Sequence, residues 1–147
     1  MYIMKLVKKF FTYKRKEVLK GMKIYIAHSR QIDYINDLYK PLRNDLFFND
    51  YELILPHEKN EYSSNDRQFY KDIDVFIAEC SEVATGLGIE LGWAYDDHKD
   101  IYCIYKSGKK ISNSIKTVTN NFQEYKNINE MVEIIRKIVE KEKQKRK

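Results

Sequence analysis

Asp74-Val75-Phe76-Ile77-Ala78-Glu79, followed six residues later by Gly86-Leu87-Gly88-Ile89-Glu90-Leu91-Gly92-Trp93-Ala94, is the stretch that decides the fold. Its first part is a short apolar run of the kind that forms a buried strand. Three of the five glycines in the sequence, Gly86, Gly88 and Gly92, fall in its second part. The pattern predicts a strand that ends, a tight turn made on glycines, and a helix with a carboxylate in its first turns. Glycine permits positive φ and close backbone approach. A helix N-terminus carries free N–H groups and partial positive charge. Glu90 then stands at the carboxyl end of a strand, where open α/β sheets place their ligands. Spacing alone is a weak guide, because G-x-G-x-E is not the dinucleotide fingerprint G-x-G-x-x-G and a glycine-rich turn before a helix often only packs.

Similar units lie on both sides of this stretch. Lys23 to Ala27 reads as a first strand, with His28-Ser29-Arg30 at its carboxyl end. Residues 31–48 read as a helix that Pro41 kinks or divides. Tyr51 to Leu55 is a second strand stopped by Pro56, and 57–63 is polar loop. N-capping residues at 63–66 introduce a helix over 65–72. Asp74 to Ala78 is the third strand, 87–98 the helix that carries Glu90, and Ile101 to Tyr105 the fourth strand. Ser112 is a cap for a short helix, Phe122 to Tyr125 a fifth strand, and 128–145 a last helix whose charged end frays. Strands alternating with helices imply an α/β three-layer sandwich with a five-stranded parallel sheet, flavodoxin-like or Rossmann-like. The polar groups at 28–30, His57, 80–90 and 106–112 then share one edge of the sheet.

At 147 residues the chain is long enough for one domain with its own core. Cys80 and Cys103 stand outside any C-x-x-C motif and read as reduced, buried thiols. No apolar run reaches the ~18 residues of a membrane span and no secretory leader is visible, so a cytoplasmic protein is expected. The net charge of +5 is uneven. Residues 1–22 carry seven Lys/Arg and one acid, and residues 137–147 carry six Lys/Arg and two acids, which leaves −5 on residues 23–136. A nucleic-acid surface on the folded core is not expected. Residues 2–20 hold Ile3, Leu6, Val7, Phe10 and Phe11 at helical spacing among lysines, a pattern that suits an anionic membrane surface. A helix packed on the domain, or an extension ahead of an internal start at Met22, is favoured over membrane contact.

Glu90 and Asp66 are the paired carboxylates. A helix N-terminus should keep Glu90 ionised at neutral pH. An ionised carboxylate can attack an anomeric carbon, while a second acid protonates the leaving group or orients the nucleophile. Spacing alone reads Glu90 equally as a solvated residue and Asp66 as an N-cap. Ser29 and Arg30 suit a phosphate, since Arg gives bidentate charge-assisted bonds; their plainer roles are a helix cap and a surface cation. His28 and His57 lack metal-ligand spacing and read as polar packing residues. No serine sits on a G-x-S-x-G elbow.

The motif from Gly86 to Ala94 resembles the signature of the nucleoside 2-deoxyribosyltransferase superfamily, and within it the 2'-deoxynucleoside 5'-phosphate N-hydrolases. The strand D-V-x-x-A-E at 74–79 matches too, and the likeness runs from about Lys23 to about Lys137. That leaves 1–22 as a basic extension and 138–147 as a charged helix end. The resemblance implies that Glu90 is the nucleophile toward C1' and that Asp66, twenty-four residues earlier, assists it. It places Ala27, His28, Ser29, Arg30, Gly86 and Gly88 around sugar and phosphate. Ser112 would reach the phosphate in the site of a partner subunit in a homodimer, with Trp93 and Tyr95 as candidate interface aromatics. Ala84 stands where the hydrolases carry serine and the transferases aspartate. No cofactor or metal is called for. The function implied is an N-glycosidase on a 2'-deoxynucleoside 5'-monophosphate or nucleoside. The alternatives are a nucleoside 2-deoxyribosyltransferase, a non-catalytic nucleotide-binding module and an NAD-cleaving domain.

Overall fold

The computed structural model describes residues 1–10, 21–58 and 67–147. Residues 2–10 form a helix, α1, ahead of the sheet. Five strands follow: β1 (Lys23–His28), β2 (Glu52–Ile54), β3 (Val75–Glu79), β4 (Ile101–Lys106) and β5 (Phe122–Tyr125). All neighbours are parallel, in the order β2-β1-β3-β4-β5. The chain therefore winds outward in both directions from β1 and β3, which is the flavodoxin-like order with its switch point between those two strands.

Side-chain alternation along the strands builds two cores. Ile24, Ile26, Val75, Ile77, Tyr102 and Ile104 point to one face. There they meet Leu38 and Leu42, the latter on α2 (Lys40–Asn44), and Met131, Ile135 and Val139 of α5 (Ile128–Gln144). Tyr25, Ala27, Phe76, Ala78, Ile101 and Cys103 point to the other. That face is covered by Tyr70 of α3 (Arg67–Lys71) and by Leu87, Leu91 and Ala94 of α4 (Thr85–Asp96). Cys80 and Cys103 are buried free thiols. The hydrogen bond of the Cys80 thiol with Cys103, and then its burial, raise its pKa far above the ordinary range.

Several local expectations are corrected. The segment 31–48 is broken into a π-helical turn (Ile35–Tyr39), α2 with Pro41 in its first turn, and a 3-10 turn (Leu46–Asp50). Proline fits the first turn of a helix, where its missing N–H has no partner to lose. The glycines 86, 88 and 92 make no turn. All three lie inside α4, and among the described residues only Gly108 and His98 have positive φ. A side chain on any of the three would meet nothing within 4 Å, so no close packing demands them. Ser112 caps no helix with its side chain; the short 3-10 turn at Ile115–Thr117 begins after Ser114. The charged end of α5 is pinned. Lys145 reaches Asp100 (2.7 Å) and Glu142 (2.9 Å), and Arg146 reaches Asp74 (2.9 Å).

Candidate active site

A cleft of about 450 Å³ opens above the carboxyl ends of β1 and β3, at the switch point. One wall is His28 at the end of β1 with Ser29, Arg30 and Gln31 just after it; His57 joins it from the segment after β2. The other wall is the start of α4, with Ala84, Gly86, Leu87, Ile89, Glu90 and Trp93. Gln31 Nε2 bonds the Val83 carbonyl at 3.4 Å and links the two walls. Pockets for small ligands typically span ~300–1,000 Å³.

Glu90 is half-buried on the cleft wall, in the second turn of α4. Burial raises its pKa to about 7, and hydrogen bonds from the hydroxyls of Tyr25 and Tyr70 pull the other way. The helix terminus does not keep it fully ionised at neutral pH as expected from sequence. The dipole's effect fades within the first turn, and desolvation wins. The two tyrosines come from different layers, Tyr25 from β1 and Tyr70 from α3, and their hydroxyl oxygens lie 3.2 Å apart. Trp93, partly buried, packs on Tyr70 with ring centroids 5.0 Å apart, and the Arg67 guanidinium lies over the Trp93 ring, 5.9 Å from its centroid. Arg67 also binds Asp96 and Asp97, which fastens α3 to α4.

The His28 side holds a second chain of hydrogen bonds. The His57 backbone N–H donates to the Tyr39 hydroxyl at 3.0 Å, and that hydroxyl lies 2.6 Å from His28 Nε2. His28 Nδ1 faces the Ser29 carbonyl at 2.9 Å. A carbonyl only accepts, so Nδ1 carries the proton and Nε2 accepts from Tyr39. Burial drops the His28 pKa to about 4, with the Arg30 and His57 charges adding to the effect, so the ring is neutral. The Tyr34 ring packs on His28 at a tilt of 30°, with centroids 4.7 Å apart.

The sequence-predicted residues fall in three groups. His28, Ser29, Arg30, Gly86 and Glu90 line the cleft together. Ala27 does not: it is fully buried beneath the cleft, packed among Tyr25 and Ala78. Gly88 and Ser112 are also outside the lining; Gly88 lies on α4 and Ser112 in the loop after β4. Asp66 lies outside the described residues, as do residues 59–65 of the expected loop and cap. Ser29 is fully buried and its Oγ accepts from the Gln31 N–H at 3.1 Å. Sequence reasoning missed Tyr25, Tyr70 and Tyr39.

A second carboxylate, Glu79, is fully buried at the end of β3. Its Oε1 accepts from the Ser81 hydroxyl, from Ser81 N–H at 3.1 Å and from Tyr125 at 3.2 Å. Burial raises its pKa. It reaches Tyr125 of β5 and braces Ser81, whose Oγ in turn accepts from Lys106 N–H at 2.8 Å.

Fold and cleft together define a doubly wound α/β protein with a half-buried glutamate in a ligand-sized cleft at its switch point. No family model matches the chain, and no curated protein sequence matches it. Among solved structures it is similar to the Clostridium botulinum CMP N-glycosidase, BcmB, with a TM-score of 0.52 and 23% identity, covering 77% of this chain and 97% of that one. The likeness is one of fold.

Proposed function

We propose that the chain is an N-glycosidase that cleaves the bond between base and sugar in a nucleoside 5'-monophosphate, the 2'-deoxy form by the motif at 86–94. The observation that carries this reading is Glu90, tuned by burial and two tyrosine hydroxyls and set across a cleft from Arg30 and Ser29. The fold shared with a CMP N-glycosidase supports it.

In this mechanism the ionised Glu90 carboxylate forms a bond to C1' as the glycosidic C–N bond breaks. The electron pair leaves with the base, which takes up a proton; Asp66 is the acid assigned to assist that step. Water then attacks C1', its hydroxyl stays on the sugar, its proton is released, and Glu90 is regenerated. Arg30 holds the phosphate by charge-assisted hydrogen bonds. A twofold dimer would let Ser112 complete the site of its partner.

The test is incubation with 2'-deoxynucleoside 5'-monophosphates, their ribo counterparts, the free nucleosides and NAD, scored for released base by chromatography. Release from a monophosphate, at least about tenfold faster than from its nucleoside, is the expected result. Base transfer to an added second base, with little hydrolysis, would move the assignment to the transferases. Release from NAD alone, or from nothing, would overturn it.

A further inference from the structure

Two residues that line the cleft, His28 and His57, come from different segments, the end of β1 and the loop after β2. One hydroxyl joins them. Tyr39 is 5% exposed and stands outside the cleft lining. Its hydroxyl donates to His28 Nε2 at 2.6 Å and accepts from the His57 N–H at 3.0 Å. The π-helical turn Ile35–Tyr39 delivers it, closed by the Lys40 N–H on the Ile35 carbonyl. Turns of this kind are rare and recur at functional sites.

These bonds leave His28 no spare polar atom. Its Nδ1 donates to the Ser29 carbonyl at 2.9 Å and its Nε2 accepts from Tyr39. A neutral imidazole has one donor and one acceptor, and both are in use. His28 therefore meets a ligand only with its ring, and burial keeps that ring uncharged. His57 is fixed through its backbone instead, with its ring across that of His28, centroids 5.3 Å apart at 79°. The loop is fastened a second time from α2, where Arg43 Nε donates to Glu58 Oε1 at 2.8 Å. That clamp is partly exposed. The Tyr39 hydroxyl is buried, and its loss would strand the His28 acceptor and the His57 donor together.

We infer that Tyr39 is a positioning residue of the cleft: its hydroxyl sets the tautomer of His28 and holds the His57 segment against it. The wall opposite Glu90 is then formed before substrate arrives, which lowers the ordering cost of binding.

The test compares Tyr39→Phe, which keeps the ring and deletes the hydroxyl, with Arg43→Gln, which releases the same loop at Glu58. Amide hydrogen exchange at His57 should quicken by about tenfold in Tyr39→Phe and by much less in Arg43→Gln. The nitrogen resonance of His28 Nε2 should move toward that of an unbonded acceptor in Tyr39→Phe alone. Only the kinetic arm rests on the proposed reaction. There Tyr39→Phe should raise KM for the monophosphate about fivefold and leave kcat unchanged. The acid limb of the pH profile should also stay, because Glu90 keeps its bonds from Tyr25 and Tyr70. Unchanged exchange and resonance in Tyr39→Phe, or equal exchange in the two variants, would overturn the assignment, and so would faster exchange with an unchanged KM. Wild type supplies a check that needs no variant to fold: a His28 proton found on Nε2 and not on Nδ1 would also overturn it. A wild type that releases no base sinks the proposed reaction instead, and the exchange and resonance arms then decide the part played by Tyr39.

Discussion

The Tyr25 and Tyr70 hydroxyl oxygens lie 3.2 Å apart, one carried by a strand and the other by a helix, and both hydroxyls bond to the Glu90 carboxylate. The glutamate is thereby held from two layers of the fold. Both bonds favour the charged form and so oppose the upward push of burial. In Tyr70→Phe one of them is gone. The Glu90 pKa should rise further, by about one unit if the lost bond is worth ~1.4 kcal/mol. Base release at pH 7 should then fall by roughly fivefold and recover toward pH 9, where the carboxylate is ionised again. A pH–rate profile reads this directly. An acid limb that stays at the wild-type position while the rate falls would mean that Tyr70 only packs.

Glu90 itself should show a conflict between stability and use. Its folded pKa is about 7, against an unfolded value near 4.3. The folded state therefore binds this proton more tightly than the unfolded chain does. The sign follows: ionisation costs no folding stability below about pH 4, costs progressively more between 4 and 7, and costs the full amount above 7. Glu90→Gln removes the ionisation. It should abolish base release yet be more stable than wild type at pH 8, by about 1–3 kcal/mol once partial exposure is allowed for. The gap should close by pH 4. Urea unfolding at the two pH values measures it, and a variant less stable at pH 8 would contradict the account.

Much of this was legible from alternation. Ile24 and Ile26 against Tyr25 and Ala27, repeated in β3 and β4, assign each strand residue to a layer and require helices on both faces. The strand bounds at 122–125 and the position of Glu90 beyond β3 follow from the same pattern. The tyrosines were hidden because each reads as one more apolar position in a buried run. Only the layer assignment, carried one step further, puts Tyr25 under α4 and within reach of Glu90. The glycines misled for the opposite reason. Local propensity argues for a turn. Burial of Leu87, Leu91 and Ala94 at helical spacing outweighs it, and the helix begins at Thr85. The ionisation of Glu90 depended on desolvation, which no local pattern reports.

The glycines then offer a test that separates fold from cleft. Glycine within a helix costs roughly 0.5–1 kcal/mol relative to alanine. Neither Gly86 nor Gly92 has a neighbour that a methyl group would strike. Both Gly86→Ala and Gly92→Ala should therefore raise thermal stability by a similar, small amount. Only Gly86 lines the cleft. Gly86→Ala should weaken ligand binding or turnover severalfold while Gly92→Ala leaves both unchanged. Parallel melting curves and steady-state kinetics decide this. Equal kinetic effects would show that the glycines serve α4 as a whole and not the ligand.

The loop after β4 bears on assembly. Ser112 lies outside the cleft of its own chain, and Tyr95 of α4, also outside the cleft lining, is 57% exposed. Trp93 is already committed to Tyr70 and Arg67, which leaves Tyr95 as the aromatic free to meet a partner. Twofold contacts are self-complementary and aromatic side chains are enriched in them. A dimer built through α4 would bring a partner's loop toward each cleft. Light scattering should then give at least twice the 17.7 kDa of the chain. Tyr95→Asp should shift the mass toward the monomer. Glu90→Ala and Ser112→Asp should each be inactive alone, and mixing them should restore part of the activity, because one site of the mixed dimer receives both an intact Glu90 and an intact Ser112. A fully active monomer would rule out the shared site and leave the phosphate to Arg30.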